Sequence, residues 1–513
     1  MRGLGALALL ALLGTLAAFL TWGVEVCDDH SADSLLPALM SRLKVTAYYW
    51  GQNRFGNLLP LLTSPVSDLR ANLQVQIFLR AASAFSIPYF VFFLIGGRRL
   101  RFAKFCFAIA AIFATHSDLG VRTLWTFAQP YGQSVALLLA GLHLGSRPRS
   151  ATRSARSLSF VAASALFAIA FWVNLSLALL VTPIFVLVWC FDDRRTHAPV
   201  LIQLLIALCL AFLHALQFGA SYSSLSFEWG NFVEVLSRIG ESVSSERVFV
   251  GKVASIPLLA AVQRSVERWR GDRDPDPLPR MSVTRVAAVY VSCVGFLLII
   301  PHAEWIRTND YSFRYFLLVS AVIDCMAVSL GVDILLTLRG RELGKSARQA
   351  IHGLSAALLI VAVVSRTGPI SGSCTFNERH EEAVLFAQKA IESGTTMLIG
   401  DYWMVWPTVF EMIESRDREP KAQVAEVFGV AHRGEAMAEE ILASLHQGRT
   451  RAALCVDYSL GNCRAEWKAF GERLGASFPE LVPDEEGEIG SGGRYLILRV
   501  RASGSAGLRQ RGQ

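Results

Sequence analysis

The sequence predicts a mainly α fold: a polytopic transmembrane helix bundle of about eleven spans, followed by a small α/β extracytoplasmic C-terminal domain. Three observations lead there. Of 513 residues, 53% are hydrophobic and only 18% charged, and the mean hydropathy of +0.40 lies well above that of an average soluble domain. Apolar stretches of membrane-crossing character recur up to about Val364. From about Arg366 the charge density becomes ordinary, and short strand patterns alternate with amphipathic helical ones.

The spans are read at Leu4–Val24, Val75–Ile95, Phe105–Thr115, Gly132–Leu144, Leu158–Val173, Leu175–Phe191, Val200–Phe218, Val248–Val262, Val286–Pro301, Phe316–Leu338 and Ile351–Val364. The first follows Arg2 and has the look of a secretory signal, but its apolar run continues through Trp22 and is long enough to span as a retained helix. Leu158–Val173 and Leu175–Phe191 meet at Asn174 and read as a tight outer hairpin. Basic residues set the orientation. Clusters at Arg98–Lys104, Arg147–Arg156, Arg194–Arg195, Arg264–Arg280 and Arg339–Arg348 all fall on the cytoplasmic side if the N-terminus is cytoplasmic. The first loop and everything after about Ser365 then lie outside, as in a multi-pass protein of a bacterial inner membrane.

The net charge of +7 is therefore a topology signal, and nucleic-acid binding is excluded because no soluble fold collects the arginines. Of nine cysteines, Cys27, Cys374, Cys455 and Cys463 lie outside, and Cys455 with Cys463 closes the shortest loop. The expected organisation is a bundle at 1–365 with a long first outer loop at 25–73, a soluble α/β domain at 366–501 and a disordered tail at 502–513. In the soluble domain, Asn377–Ser393 and Gly434–Gln447 read as helices, and Thr396–Gly400, Ala452–Val456 and Arg494–Val500 as strands.

The first outer loop carries most of the candidate chemistry. It opens on Glu25, Asp28, Asp29, His30 and Asp33, carboxylates that can bind a divalent cation, act as a general base or solvate a helix end. Tyr48, Tyr49, Trp50, Gly51, Gln52, Asn53 and Arg54 follow. Tyr49 and Trp50 offer faces for a sugar ring or belong to an interfacial aromatic belt, whereas Gln52, Asn53 and the guanidinium of Arg54 suit a polar, phosphorylated ligand better than a belt. Phe55–Leu62 reads as a short amphipathic helix on the membrane surface. Three further groups stand on the same face. His116 and Asp118 can supply a base or metal ligands, or form a polar turn. Arg314 and Tyr315 open a span where an arginine either clamps a lipid-linked phosphate or snorkels. Asp401 and Trp403 either join the site or form a helix cap and core, with Trp406 in the core. Inside the spans, His143, His214, Asp324 and Asp333 are too few for a proton relay.

In layout, and in Asp28-Asp29, Tyr49 to Arg54 and Arg314-Tyr315, the chain resembles the GT-C class of integral membrane glycosyltransferases. The resemblance implies transfer of a sugar from a polyprenyl-phosphate donor to a glycan, lipid or protein acceptor on the outer face, with Asp28 or Asp29 as catalytic base or as ligands of a divalent cation, Mg or Mn. This chain has adjacent aspartates and no Asp-x-Asp spacing, and Asp401-Tyr402-Trp403 stands where the oligosaccharide-transferring members would carry Trp-Trp-Asp, which points to a monosaccharide donor. A transporter or flippase for a lipid-linked saccharide is the second reading, and an envelope scaffold the third.

Overall fold

The computed structural model describes residues 31–51, 55–95, 100–116, 130–145, 153–191, 194–218, 247–271, 283–307, 316–339, 344–367, 378–418, 427–456, 460–476, 478–489 and 493–501, with 12, 15, 233–235 and 237–238. Apart from residues 12 and 15, the predicted first span lies outside them, as does the tail at 502–513. The helices are α1 (Ala32–Leu43), α2 (Leu58–Thr63), α3 (Leu69–Leu94), α4 (Arg101–Thr115), α5 (Tyr131–Gly145), α6 (Arg153–Val173), α7 (Ala178–Phe191), α8 (Arg194–Phe218), α9 (Arg247–Gly271), α10 (Val283–Ile299), α11 (Leu317–Arg339), α12 (Lys345–Thr367), α13 (Glu378–Glu392), α14 (Tyr402–Arg418), α15 (Ala438–His446) and α16 (Leu460–Arg473). The strands are β1 (Met397–Ile399), β2 (Phe428–Val430), β3 (Ala452–Cys455), β4 (Glu480–Ile489) and β5 (Gly493–Arg501).

The chain forms two compact units. One comprises Met1–Thr21, Asn53–Gly56 and Ile77–Ser371; the other comprises Trp22–Gln52, Asn57–Gln76 and Gly372–Gln513. The first loop, assigned from sequence to the bundle, thus shares a unit with the C-terminal residues.

The first unit is helical, and ten of the eleven expected spans coincide with its described helices. Among the described residues, five helices are long and apolar enough to cross a membrane, in α3, α8, α10, α11 and α12, and a bent pair would make a sixth. This is an integral membrane protein, with apolar side chains such as Leu205, Leu210 and Leu213 of α8 exposed as a lipid-facing surface requires. The helices α4 and α5 have 15 residues each, short for an unaided crossing of a hydrocarbon core about 30 Å thick. The expected hairpin is a 114° bend between α6 and α7, where Asn174 accepts from Ser176 N at 3.2 Å and caps a turn of 3-10 helix. Close helix packing explains Gly141: a Cβ there would stand 2.6 Å from the Phe167 ring where α5 crosses α6.

The second unit is built on a five-stranded sheet of order β2-β1-β3-β5-β4. The strands β2, β1 and β3 run parallel, while β5 is antiparallel to both β3 and β4. All three residues of β1 and of β2 are buried, as expected where helices cover both faces. The strand β4 escapes prediction because Pro483 and five carboxylates make it read as loop; at a sheet edge the proline loses no ladder bond, and charge blocks further pairing. Cys455, at the end of β3, is disulfide-bonded to Cys463 in α16. The helix α14 packs on β1, β2, α13 and the first-loop helix α1. The short surface helix expected at Phe55–Leu62 is α2, with Leu61 and Leu62 exposed.

Candidate functional site

In the second unit the first loop is ordered by local chemistry. Ser31 accepts from Ser34 N at 3.3 Å and caps α1, and Asp33 follows in its first turn. After α1, the Asn57 amide donates to Thr46 O, Thr46 Oγ1 and Tyr48 O at 2.7 to 3.1 Å, folding the segment back on itself. Trp50 Nε1 donates to Lys44 O at 3.1 Å, and its ring lies 5.5 Å from that of Trp406 in α14. Tyr48, Tyr49 and Trp50 are consequently buried, and burial pushes the Tyr48 phenol up to about 12. This corrects the reading of Tyr49 and Trp50 as faces open to a sugar: Trp50 is 1% exposed, because its partner is a tryptophan from the C-terminal part of the chain.

Asp33 is also buried, and two groups converge on it. Tyr402 Oη donates to its Oδ1 at 2.6 Å, and Arg433 Nη1 to the same oxygen at 3.1 Å, with the guanidinium 5.1 Å from the Tyr402 ring centre. Tyr402 begins α14 just past the carboxyl end of β1, and Arg433 lies three residues past the carboxyl end of β2. Burial, and the Asp33 carboxylate beside it, hold the Tyr402 phenol well above its ordinary range, so it is a neutral donor. For Arg433 burial opposes the charge, but the Asp33 carboxylate favours it, and its pKa is raised. The Arg433 backbone is left-handed, with φ 74°. The next residue must be glycine, since a Cβ on Gly434 would meet Gly429 O at 2.4 Å.

Asp401 is exposed and caps α14, its Oδ2 accepting from Trp403 N at 2.8 Å. Trp406 is core as expected, but Trp403 is 44% exposed, its ring edge-on to Tyr402 at 5.0 Å.

In the first unit, His116 ends α4 as a buried group. Its Nε2 is 2.8 Å from Ser320 Oγ, its Nδ1 2.9 Å from Ile112 O and 3.6 Å from Asp324 Oδ2. Lys252 of α9 reaches Asp324 at 3.0 Å and donates to Thr115 Oγ1 at 2.6 Å. Further along α11, Asp333 pairs with Lys104 of α4 at 2.6 Å, and Ser329 accepts from the same ammonium at 3.1 Å. Both intramembrane aspartates therefore hold lysines. Lys104, counted from sequence among cytoplasmic charges, is 0% exposed, and Lys252 passed unnoticed within an apolar run.

The structure brings Asp33, Tyr402 and Arg433 together in one unit and His116, Lys252 and Asp324 in the other. Asp28, Asp29, Gln52, Asn53, Arg54, Asp118, Arg314 and Tyr315 lie outside the described residues. Among the described residues, no group of three or more His, Cys, Asp or Glu can hold a metal ion. Arg433 was missed from sequence; its only local signal is an arginine before glycine after the short apolar run Val427 to Val430.

No family profile and no curated protein matches this chain. Solved structures do. The chain is similar to ArnT from Cupriavidus metallidurans bound to undecaprenyl phosphate, with TM-score 0.50 and 12% identity over 96% of this chain and 98% of that one. The apo-state structure of the same ArnT gives TM-score 0.45 at 12% identity, covering 98% of this chain and 99% of that one. At 12% identity the likeness is one of overall fold, shared along nearly the whole of both chains.

Proposed function

We propose that the protein is a glycosyltransferase that moves a sugar from a polyprenyl-phosphate donor to a glycan, lipid or protein acceptor on the outer face of a bacterial inner membrane. The supporting observation is the near full-length match to ArnT, a protein solved with undecaprenyl phosphate, in a chain that carries Asp28 and Asp29 just ahead of a capped first-loop helix. In this reading Asp28 or Asp29 takes the proton of an acceptor hydroxyl. The freed oxygen bonds to the anomeric carbon as the bond to the phosphate oxygen breaks on the opposite face. The polyprenyl phosphate leaves with the electron pair, and the configuration inverts. Arg54 and Arg314 hold donor phosphate, Gln52 and Asn53 the sugar, and Asp118, Tyr315, Asp401 and Trp403 are further contacts. If a divalent cation, Mg or Mn, takes part, Asp28 and Asp29 are the carboxylates for it, and the donor carries a monosaccharide.

The test is release of polyprenyl phosphate by the purified full chain from a panel of polyprenyl-phosphate monosaccharides with acceptor present. Turnover lost by roughly 10²-fold or more in Asp28→Asn or Asp29→Asn, with the fold intact, supports the reading. No release from any donor, with saccharide lipid crossing the bilayer of proteoliposomes instead, establishes the flippase.

A further inference from the structure

Parallel α/β sheets hold their ligands at the carboxyl ends of the strands, where loops and helix starts from neighbouring strands face one crevice. In the second unit, β2, β1 and β3 form such a sheet in the order 2-1-3, and the residues beyond β1 and β2 include Tyr402 and Arg433. Both donate to a single carboxylate oxygen, which belongs to Asp33 of the first loop. We infer that this strand-end crevice is an internal docking site for α1, and that Arg433 and Tyr402 are positioning residues that act through Asp33 on the chain segment bearing Asp28 and Asp29.

Four observations carry this. Asp33 lies in the first turn of α1, four residues after Asp29, so its anchoring point is close in the chain to the acidic pair. The carboxylate is buried and accepts both a phenol and a guanidinium, which spends it as an anchor and leaves the neighbouring aspartates for chemistry. Arg433 is held at φ 74°, a conformation that costs a non-glycine residue energy and persists only where surroundings over-determine it. The surroundings do so: Gly51, itself at φ 68°, lies so close that a Cβ on it would stand 3.3 Å from Arg433 Cγ, and Gly434 is confined by Gly429 O. Two flanking ion pairs join the same segments, Lys44 with Glu440 at 2.9 Å and Arg70 with Glu414. A domain appended only as a tether has no need of a buried, strained, bidirectionally packed arginine aimed at the first loop.

The catalytic part of this inference rests on the proposed transferase reading, and the docking part does not. The experiment therefore has two readouts on the full-length chain in nanodiscs, comparing wild type with Arg433→Gln, the milder Tyr402→Phe, and Arg499→Gln on the sheet surface as control. Hydrogen exchange of the peptide spanning 31–43 is expected to rise in both crevice variants, with β3 and β5 unchanged and the control like wild type. On any donor the wild type turns over, kcat is expected to fall by about tenfold or more in Arg433→Gln while the donor KM stays within about twofold, because a displaced base costs rate and not donor affinity. Unchanged exchange over 31–43 in both variants overturns the docking site, whatever the activity. Raised exchange with unchanged kcat overturns the positioning role. A wild type that turns over no donor refutes the transferase and leaves exchange to decide the docking.

Discussion

The two buried ion pairs of α11 are unequal, and the inequality can be measured. Deleting one partner of a buried pair costs about 3–5 kcal/mol, while replacing both with apolar residues of similar volume is often neutral. Asp333→Leu leaves the Lys104 ammonium fully buried, facing Ser329 Oγ at 3.1 Å in place of a carboxylate, so the cost falls near the top of that range, about 4–5 kcal/mol. Lys252→Met leaves Asp324 with the His116 imidazole 3.6 Å away as a substitute polar neighbour, and its cost falls near the bottom, about 3 kcal/mol. The double replacement Lys104→Met with Asp333→Leu should recover most of the loss. Unfolding free energies from titration with a denaturing detergent in mixed micelles give all four numbers. An Asp333→Leu loss under about 1 kcal/mol, or a double variant as unstable as the single, refutes the view that these lysines are committed to their aspartates.

Three more outcomes follow from the second unit. A double-mutant cycle on Trp50 and Trp406 should show a coupling of about 0.5–1.5 kcal/mol, read from thermal unfolding, because the rings meet at 5.5 Å. Replacing Cys455 and Cys463 by serine should cost about 2.5 kcal/mol, the loop-closure entropy for a separation of 8 residues, and reductant should reproduce the loss in wild type. Burial, with Arg70 nearby, lowers the His380 pKa from 6.5 to about 4. A histidine depressed in the folded state stays neutral there while the unfolded chain binds its proton, so this stability is full above pH 6.5 and is lost as pH falls toward 4. His380→Gln should flatten that limb of the stability profile, and an identical slope in wild type and variant would count against it.

What could be read from the sequence is what local patterns encode. Apolar periodicity located the helices from Leu69 to Thr367, and the break at Asn174 between two nearly contiguous apolar runs marked the bend, where the structure shows the Asn174 side chain capping the next turn. The strands β1, β3 and β5 are short apolar runs; β4 is not, since an edge strand needs charge more than hydrophobicity. The candidate site was half legible for the same reason. Asp33 and Tyr402 stood inside motifs that drew attention, but their pairing spans a sequence separation of 369 residues, and no local rule predicts it. Trp50 read as exposed because an aromatic beside amides in a loop has the composition of a binding surface; only its long-range partner buries it. Lys104 read as a cytoplasmic charge for a parallel reason, since one lysine after several arginines carries no sign that a carboxylate 229 residues away awaits it.

Those pairings bear on the choice between enzyme and carrier. A carrier that couples transport to ion or proton movement needs intramembrane charges that change partners during the cycle. Here Lys252 is engaged by both oxygens of Asp324 and by Thr115, and Lys104 by Asp333 and Ser329, so each ammonium has its donors directed at protein oxygens. Freeing either would expose an uncompensated charge within the bundle at a cost of several kcal/mol. These charges therefore act as struts that set the register of α4, α9 and α11. Chemistry that needs an accessible carboxylate then falls to residues outside the bundle's paired set. Asp33 is withdrawn by Tyr402 and Arg433, and the adjacent Asp28 and Asp29 are the first-loop carboxylates on which a test by substitution should concentrate.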